Sequence, residues 1–182
     1  GRADSGILRR VNHGGPLEGS ARHIDGGAFP GAGETMAEIL ETPLGRVSVE
    51  HAEGIVQEIH VGVRRPPTAP QSPIARDLAR YFAGKPVDLG GYRVNLSGFT
   101  EFERMVYEAT RAIPPGQVRT YGEIAKSIGN AGASRAVGNA LAKNPACIVI
   151  PCHRVVGTNG LGGFTGGLEW KRKLLRLEGA LE

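Results

Sequence analysis

After Met36 the chain alternates apolar and polar positions in three short stretches that are separated by turn-forming residues. Alternation with a period of two is typical of half-buried β-strands, and it predicts strands at Glu38–Thr42, Arg46–Glu50 and Ile55–Val63. The Pro-Leu-Gly triplet between the first two stretches is typical of a hairpin turn. A short antiparallel sheet is therefore expected over these residues.

The segment after the third predicted strand changes to helical spacing. Ser72 stands directly before Pro73, which is the usual arrangement of an N-cap and a first-turn proline, while Gly84 and Pro86 mark the end of the helix. Apolar residues recur inside it at intervals of three or four positions: Ile74, Leu78 and Tyr81. Sheet and helix together predict a small α/β domain over residues 36–92.

The second half of the chain is mostly helical by the same criteria. Two capping boxes of the pattern Thr-x-x-Glu, at Thr100 and Thr120, each begin a predicted helix. The second of these helices turns Ile124 and Ile128 inward. The buried face of the first is expected to hold Phe102, Val106, Ala109 and Ile113.

Two further helices are predicted, from about Ser134 to Lys143 and from Leu168 to Glu178. The tight connection at Gly129–Gly132 makes the helices on either side of it resemble a helix-turn-helix, a winged-helix-like element that binds DNA, although most helical hairpins bind no DNA. The fold class is α+β in two parts: a small N-terminal α/β domain, then a mostly helical domain over residues 97–182.

Residues 1–35 follow neither period. They hold 9 of the 28 glycines and few large apolar residues, so they are expected to form a flexible leader or an artificial extension, with Met36 as a natural start. His13 and His23 lie there without cysteine partners and make a poor metal site.

Cysteine content and hydropathy narrow the setting. Cys147 and Cys152 are the only cysteines, too few for a disulfide framework or a four-ligand zinc site, and no metal is expected. The sequence contains no apolar run long enough to span a membrane and no signal-peptide core. These features predict a cytoplasmic protein, or a nuclear one in a eukaryote.

The net charge of +4 is concentrated in the second half. Residues 1–96 carry 11 basic and 11 acidic residues, whereas residues 97–182 carry 11 basic residues and 7 glutamates. A basic segment in an otherwise balanced chain indicates a polyanion partner such as nucleic acid, or else a solvated surface. Between positions 113 and 160, Glu123 is the only acidic residue, and the basic ones are Arg119, Lys126, Arg135, Lys143 and Arg154.

Candidate chemistry lies in the apolar segment Ile148–Val156, which is expected to be strand-like and to present Cys152 immediately after a proline. A cysteine attacks only as thiolate, and an unperturbed thiol is mostly protonated at neutral pH. The adjacent His153 and Arg154, with a nearby helix start, would supply a base and positive potential. The alternative is a buried structural cysteine beside an unrelated histidine.

The neighbouring motifs favour the chemical interpretation. The pentapeptide Pro-Cys-His-Arg-Val resembles the active-site signature of the O6-alkylguanine-DNA alkyltransferases, the methylated-DNA–protein-cysteine methyltransferases. The resemblance extends from about Phe99 to Gly179, and residues 36–92 fit the small α/β domain of such proteins only loosely. Its landmarks occur in order: Pro115–Gly116, Thr120–Ala125, Ser134–Gly138, Asn144–Pro145, Pro151–Val155, Gly166–Leu168 and Leu174–Gly179.

The resemblance implies direct reversal of DNA damage, in which Cys152 accepts an alkyl group from O6 of guanine, and from O4 of thymine, once per molecule and without a cofactor. His153 would take the thiol proton through a water, and Glu178 would orient His153. Asn144 would hold the turn that presents the cysteine. Tyr121 would donate a proton or hydrogen bond to N3 of the leaving guanine.

The same resemblance implies how DNA is held. The partner would be double-stranded DNA carrying O6-alkylguanine, bound in the minor groove by a monomer with the damaged nucleotide flipped out; cooperative binding along DNA stays open. Arg135 would fill the space left by that nucleotide. The remaining implied contacts are with Ser134, Lys126 and Lys143 on the DNA side, and with the carbonyls of Cys152 and Val155, Phe164, the amide of Thr165, and Gly166 at the base.

Three other functions compete with this one. A non-enzymatic lesion-recognition protein would replace the nucleophile, and Cys152 argues against it. A helix-turn-helix regulator would leave His153 and Glu178 unexplained. A cysteine hydrolase is the third, but no oxyanion-hole pattern and no histidine far from the cysteine supports it.

Overall fold

A computed structural model describes residues 33–182, so the leader assigned to residues 1–35, with His13 and His23, lies almost wholly outside the described residues. Residues 33–35 have no regular secondary structure. The described chain divides into two compact units. One contains residues 33–99 and Pro145–Val149, and the other contains Thr100–Asn144 and Ile150–Glu182.

The first unit contains the predicted sheet. Its strands are β1 (Met36–Thr42), β2 (Gly45–Ala52) and β3 (Ile55–Val61), antiparallel in that order, which confirms the prediction. A bulge between Glu50 and His51 shifts the register of β2 against β3. Each strand contributes buried apolar side chains: Ile39 and Leu40 from β1, Val47 and Val49 from β2, and Ile55, Val56 and Ile59 from β3.

Helix α1 (Pro73–Phe82) follows, capped by Ser72 as predicted. The buried carboxylate of Glu38, on β1, accepts hydrogen bonds from the backbone N–H groups of Gln71 (2.5 Å) and Ser72 (3.2 Å), which fixes the start of the helix against the sheet. The later segment Pro145–Val149 belongs to this unit because the N–H of Ile59 donates to the carbonyl of Pro145 at 2.8 Å.

The second unit contains four helices among the described residues: α2 (Glu101–Arg111), α3 (Tyr121–Ser127), α4 (Ser134–Ala142) and α5 (Leu168–Leu177). Both predicted capping boxes are formed, by Thr100 on α2 and by Thr120 on α3. No helix within residues 33–182 is long and apolar enough to cross a membrane.

The buried face of α2 differs from the prediction. Val106 is buried, but Phe102 is only half-buried, and Tyr107 and Thr110 take interior positions instead. Tyr107 can lie inside because its hydroxyl donates to the carbonyl of Ala140 at 2.9 Å, and a buried aromatic with a satisfied polar end is stable. Two other residues that were expected to face inward are also only half-buried: Ala109 of α2 and Ile128, which directly follows α3.

The apolar run before the cysteine is not a strand. Ile148 has a φ of 77°, a left-handed conformation that a β-branched residue rarely adopts and that breaks extended structure. Cys152–Arg154 form one 3₁₀ turn, followed by the two-residue strand β5 (Val155–Val156). This strand pairs in parallel with β4 (Arg119–Thr120), which hydrophobic alternation cannot reveal in so short a segment.

Candidate active site

The β4–β5 pair sets the two sides of the site. Arg119 is opposite Val155 and Thr120 is opposite Val156. Strand β4 leads directly into Tyr121, the first residue of α3, and β5 directly follows the 3₁₀ turn that begins with Cys152. Backbone pairing of two short strands therefore brings Tyr121 and the cysteine turn together.

A cavity of about 260 Å³ lies between these elements. Its size is just below that of typical drug-sized ligand pockets and suits one small planar group. Cys152 is 8% exposed and forms part of the cavity wall. The other lining residues come from α3, α4 and the loop before α5: Tyr121, Gly138, Leu141, Ala142, Gly163, Phe164 and Thr165.

A buried carboxylate, that of Glu178, binds the turn from the other side. The Nε and Nη2 atoms of Arg154 donate to its two oxygens at 2.9 and 2.7 Å, and Nε2 of His153 lies 2.9 Å from Oε1. Burial alone would raise the pKa of Glu178, but the hydrogen bonds from His153 and Arg154 and the charge of Arg154 outweigh it and hold this pKa well below its usual range. The Arg154 guanidinium thus binds Glu178 and also the carbonyl of Ile113 (2.6 Å), and a positive potential from Arg154 at Cys152 stays a prediction.

His153 is fully buried, and desolvation lowers its pKa despite the attraction of Glu178. The imidazole is therefore neutral at neutral pH. An ionised carboxylate can only accept a hydrogen bond, so the proton of the neutral ring sits on Nε2, facing Glu178. Nδ1 makes no hydrogen bond to any residue in the described part of the chain and retains its lone pair, so His153 is prepared to accept a proton there.

The Cys152 thiol is stabilised in its protonated form. Burial raises its pKa, against the opposing effects of a hydrogen bond from Asn144 and the charge of Lys171. Asn144 also donates from Nδ2 to the carbonyl of Ile150 at 2.8 Å, and the same carbonyl accepts the N–H of Cys152 at 2.7 Å. The asparagine thus braces the turn, and burial keeps the thiol in its protonated form.

The Tyr121 hydroxyl is oriented by the loop before α5. It accepts a hydrogen bond from the N–H of Gly163 at 3.2 Å, and burial raises its pKa, so it keeps its proton as a donor. Gly162 makes this position possible, because a Cβ atom there would lie 2.6 Å from the tyrosine oxygen.

The other residues expected at the base lie at different depths. Thr165 and Phe164 line the cavity, and the Thr165 hydroxyl donates to the carbonyl of Ala142 at 3.2 Å. Val155 is buried, and its carbonyl accepts from Lys171 at 2.6 Å, which leaves one lone pair. Gly166 is half-buried and does not line the cavity.

The residues expected on the DNA side lie outside the cavity. Arg135 is exposed on α4, one helical turn before the cavity residue Gly138. Lys126 is exposed at the end of α3, and Ser134 is half-buried at the first position of α4. Lys143 is exposed, but its ammonium binds the Glu103 carboxylate at 2.8 Å.

Sequence reasoning missed Lys171. This lysine is fully buried on α5, and its Nζ atom donates to the carbonyls of Val155 (2.6 Å) and Gly163 (2.9 Å). A signal was present: Lys171 falls three and four positions before Leu174 and Leu175, and seven before Glu178, so it lies on the apolar stripe of the helix.

Comparison with known proteins agrees with this geometry. The family described as "6-O-methylguanine DNA methyltransferase, DNA binding domain" matches residues 101–180. A methylated-DNA–protein-cysteine methyltransferase of Methanosarcina acetivorans is 52% identical over 108 residues, 58% of this chain and 67% of the relative. One from Shigella flexneri is 38% identical over 166 residues, 80% of this chain and 96% of the relative.

Solved structures extend the likeness to the fold. The O6-methylguanine methyltransferase of Mycobacterium tuberculosis has a TM-score of 0.69 at 34% identity, covering 82% of this chain and 95% of that one. The O6-methylguanine-DNA methyltransferase of Pyrococcus kodakaraensis has a TM-score of 0.64 at 28% identity, covering 80% and 99%. The mixed α/β architecture with a small antiparallel sheet is shared.

A buried thiol beside a small cavity, backed by a neutral histidine and an ionised carboxylate, defines a protein that uses cysteine as a nucleophile. Within that class, the chain belongs to the methylated-DNA–protein-cysteine methyltransferases, enzymes that repair DNA by direct reversal of damage.

The substitution Gly162→Ala tests how the tyrosine is held. Its Cβ would overlap the Tyr121 hydroxyl, and the φ of 71° disfavours any side chain. We expect alkyl transfer from free O6-benzylguanine to slow at least about tenfold, equivalent to about 1.4 kcal/mol in the barrier. Gly160→Ala is the control, since its Cβ would meet no atom within 4 Å. A wild-type rate for Gly162→Ala would show that the position of Tyr121 does not matter.

Proposed function

We propose that Cys152 is the alkyl acceptor of this chain, taking a methyl or larger group from O6 of guanine, and from O4 of thymine, in DNA. The observation that carries this assignment is the position of the thiol in the cavity wall, next to the buried neutral His153. The sulfur forms a bond to the alkyl carbon while the carbon–oxygen bond breaks. The product is a stable thioether, so each molecule reacts once, and the step requires no cofactor.

The thiol proton leaves through a relay. Nδ1 of His153 accepts it through a bridging water, and Glu178, paired with Nε2 at 2.9 Å, stabilises the imidazolium that results. Because burial raises the pKa of Cys152, this removal is needed at neutral pH. Arg154 keeps Glu178 ionised throughout.

The leaving guanine is neutralised from the opposite wall. Tyr121 keeps its hydroxyl proton until the carbon–oxygen bond breaks and then transfers it to N3 of the base, so the guanine departs without net charge and the tyrosinate is reprotonated from solvent. Recognition of the guanine edge falls to the carbonyls of Cys152 and Val155 and the amide of Thr165. Phe164 adds an apolar wall, and Gly166 of the adjoining loop completes the contacts at the base.

DNA is held by the second domain, residues 97–182. We assign α3 and α4 as the helix-turn-helix, with α4 in the minor groove and Arg135 filling the space of the flipped nucleotide. Lys126, Ser134 and Lys143 approach phosphates, and Lys143 must exchange Glu103 for a phosphate to do so. We expect a monomer to act alone, because the cavity and Arg135 belong to the same chain. Repair would take place where the DNA is, in the cytoplasm or in a eukaryotic nucleus.

A plain helix-turn-helix regulator or a non-enzymatic lesion-recognition protein fits less well. Neither function needs a buried His153–Glu178 pair beside a thiol. Burying such a pair costs free energy of desolvation, so its presence favours a catalytic role.

The acceptor assignment is tested by Cys152→Ser. Hydroxyl replaces thiol at nearly constant volume, so alkyl transfer should be abolished while affinity for DNA stays nearly unchanged. The measurement is protein mass after incubation with O6-methylguanine DNA. Cys147→Ser is the matched control and should retain transfer. Cys147 belongs to the first unit, where its thiol donates to the carbonyl of Ile59. A methyl adduct on the Cys152→Ser protein at the wild-type rate would refute the assignment.

The assignment of Arg135 is tested by Arg135→Ala. Repair of duplex DNA should slow much more than reaction with free O6-benzylguanine, since only the duplex requires a flipped nucleotide. Arg80→Ala, an exposed arginine of the first unit that pairs with Asp77, is the control. Equal losses on both substrates would instead indicate a role in folding. Affinity for undamaged DNA should also fall as salt rises.

The relay is tested by Glu178→Gln, His153→Ala and the double variant in single-turnover assays across pH. Each single change should slow transfer by roughly 10²–10⁴-fold, and the double variant should lose little more, because members of a relay are not additive. Raising the pH should partly restore the rates, since the Cys152 thiol, with its raised pKa, then ionises without a base.

Thermal stability is measured alongside, because Glu178→Gln leaves Arg154 without its carboxylate. Multiplicative losses with no alkaline recovery would remove the relay from the mechanism and leave Cys152 as acceptor.

A further inference from the structure

Lys171 occupies an unusual place for a lysine. Its side chain is fully buried, on the same stripe of α5 as Leu174 and Leu175. The ammonium donates to the Val155 carbonyl at 2.6 Å and the Gly163 carbonyl at 2.9 Å. Lysines are almost never fully buried unless they are paired, so this position needs an explanation.

The two carbonyls belong to two different segments, one that follows the cysteine turn and one that lines the cavity. Val155 directly follows the turn that begins with Cys152, whereas Gly163 lines the cavity and donates its N–H to the Tyr121 hydroxyl. The lysine therefore clamps the cysteine side to the tyrosine side. Its Nζ atom also lies 6.0 Å from the centroid of the Tyr121 ring, within the range of cation–π attraction.

No carboxylate pairs with Lys171 among residues 33–182. Glu178, the buried acid of the same helix, is already bound by Arg154 and His153. Burial lowers the pKa of Lys171 to about 8, and the one charge that raises it is that of the Cys152 thiolate. Reciprocally, Lys171 lowers the pKa of Cys152. Among the described residues, Cys152 is therefore the group whose negative charge raises the pKa of Lys171.

We propose that Lys171 is a positioning residue whose ammonium serves as the counter-cation of the Cys152 thiolate while it clamps the two cavity walls through Val155 and Gly163. The proposal rests on Cys152 being the alkyl acceptor. When the thiol proton passes to His153, the negative charge that develops on sulfur meets a fixed positive charge in a buried site. The sulfur lone pair then forms the bond to carbon, the carbon–oxygen bond breaks, and the thioether is neutral.

The titratable groups of the described residues that act on or face Lys171 come from two elements. Cys152 and His153 belong to the 3₁₀ turn, and Tyr121 belongs to α3. Lys171 lowers the pKa of His153 as well, which helps keep the imidazole neutral. Removing the charge of Lys171 should therefore raise the pKa of the thiol and, to a smaller extent, that of the imidazole.

The test compares Lys171→Gln and Lys171→Met in a Cys147→Ser background, where Cys152 is the sole thiol. Glutamine keeps a hydrogen-bond donor without the charge, and methionine keeps neither but fills the volume of the lysine stem. Lys173→Gln, at a half-buried lysine of α5 that pairs with Glu169, is the control. Iodoacetamide labelling of Cys152 and alkyl transfer from O6-benzylguanine are each measured against pH, with thermal unfolding of every variant.

Both neutral variants should shift the acid limb of the labelling profile to higher pH by about one unit or more, the effect of losing an opposite charge nearby. Near pH 7 the labelling and transfer rates should fall about tenfold. The difference in rate between the neutral variants and the protein that keeps Lys171 should shrink above about pH 8, because Lys171 then loses its own proton. Thermal stability should not fall in proportion, since a buried charge has been removed.

If the acid limb of the labelling profile is not shifted in folded variants, the proposal is overturned. A loss of rate that is equal at every pH and follows the melting temperature would overturn it as well. A loss confined to methionine would reduce Lys171 to the clamp alone and refute the counter-cation. If neither neutral variant folds, Lys171→Arg is tested instead. Arginine keeps the positive charge, so the acid limb of the labelling profile should stay at the same pH, and a shift would refute the proposal. A shifted limb with no transfer to Cys152 in any variant would instead overturn the acceptor assignment.

Discussion

The buried carboxylate of Glu178 is the constraint on which the site depends. An ionised carboxylate removed from water must be fully paired, and this one is paired by Arg154 and His153, which stand next to each other in a single 3₁₀ turn. Arg154 extends the connection to the end of α2 through the carbonyl of Ile113. The helix carrying Glu178, the cysteine turn and α2 therefore cannot move separately without leaving a buried charge unpaired.

Charges in the site form two separate sets. Glu178 and Arg154 neutralise each other, so His153 can remain neutral although it touches a carboxylate. Lys171 has no carboxylate among the described residues and responds to the charge of Cys152. Burial raises the pKa of the Cys152 thiol, whereas the charge of Lys171 lowers it. Under the proposed mechanism both effects are compatible, because the negative charge on sulfur forms only when the proton leaves.

Backbone geometry supports the side chains at two glycines. Gly116 has a φ of 80°, and a Cβ there would lie 3.1 Å from the Glu178 carbonyl, so the turn after α2 packs directly on the end of α5. Gly162 allows the Tyr121 ring to lie against the loop before α5. In both places the absence of a side chain lets a reacting or supporting residue take its position.

The sequence by itself determined the local structure. Turn residues and alternation predicted the three-stranded sheet, and capping boxes at Thr100 and Thr120 predicted the starts of two helices, because caps and periods depend only on near neighbours. The motif around Cys152 identified the family. The amphipathic period of α5 placed Lys171 on an apolar stripe but could not say what its charge would meet.

Tertiary structure decided the contacts made across the chain. The pairing of Arg119 with Val155, the binding of Arg154 to Glu178 rather than to the thiol, and the two carbonyls bound by Lys171 all join residues that local patterns treat as independent. The same holds for Tyr107, whose burial requires the carbonyl of Ala140 on another helix. Local periodicity indicates which face of an element is buried, but the partner of a buried polar group depends on which distant segment packs against it, and only the folded chain decides that.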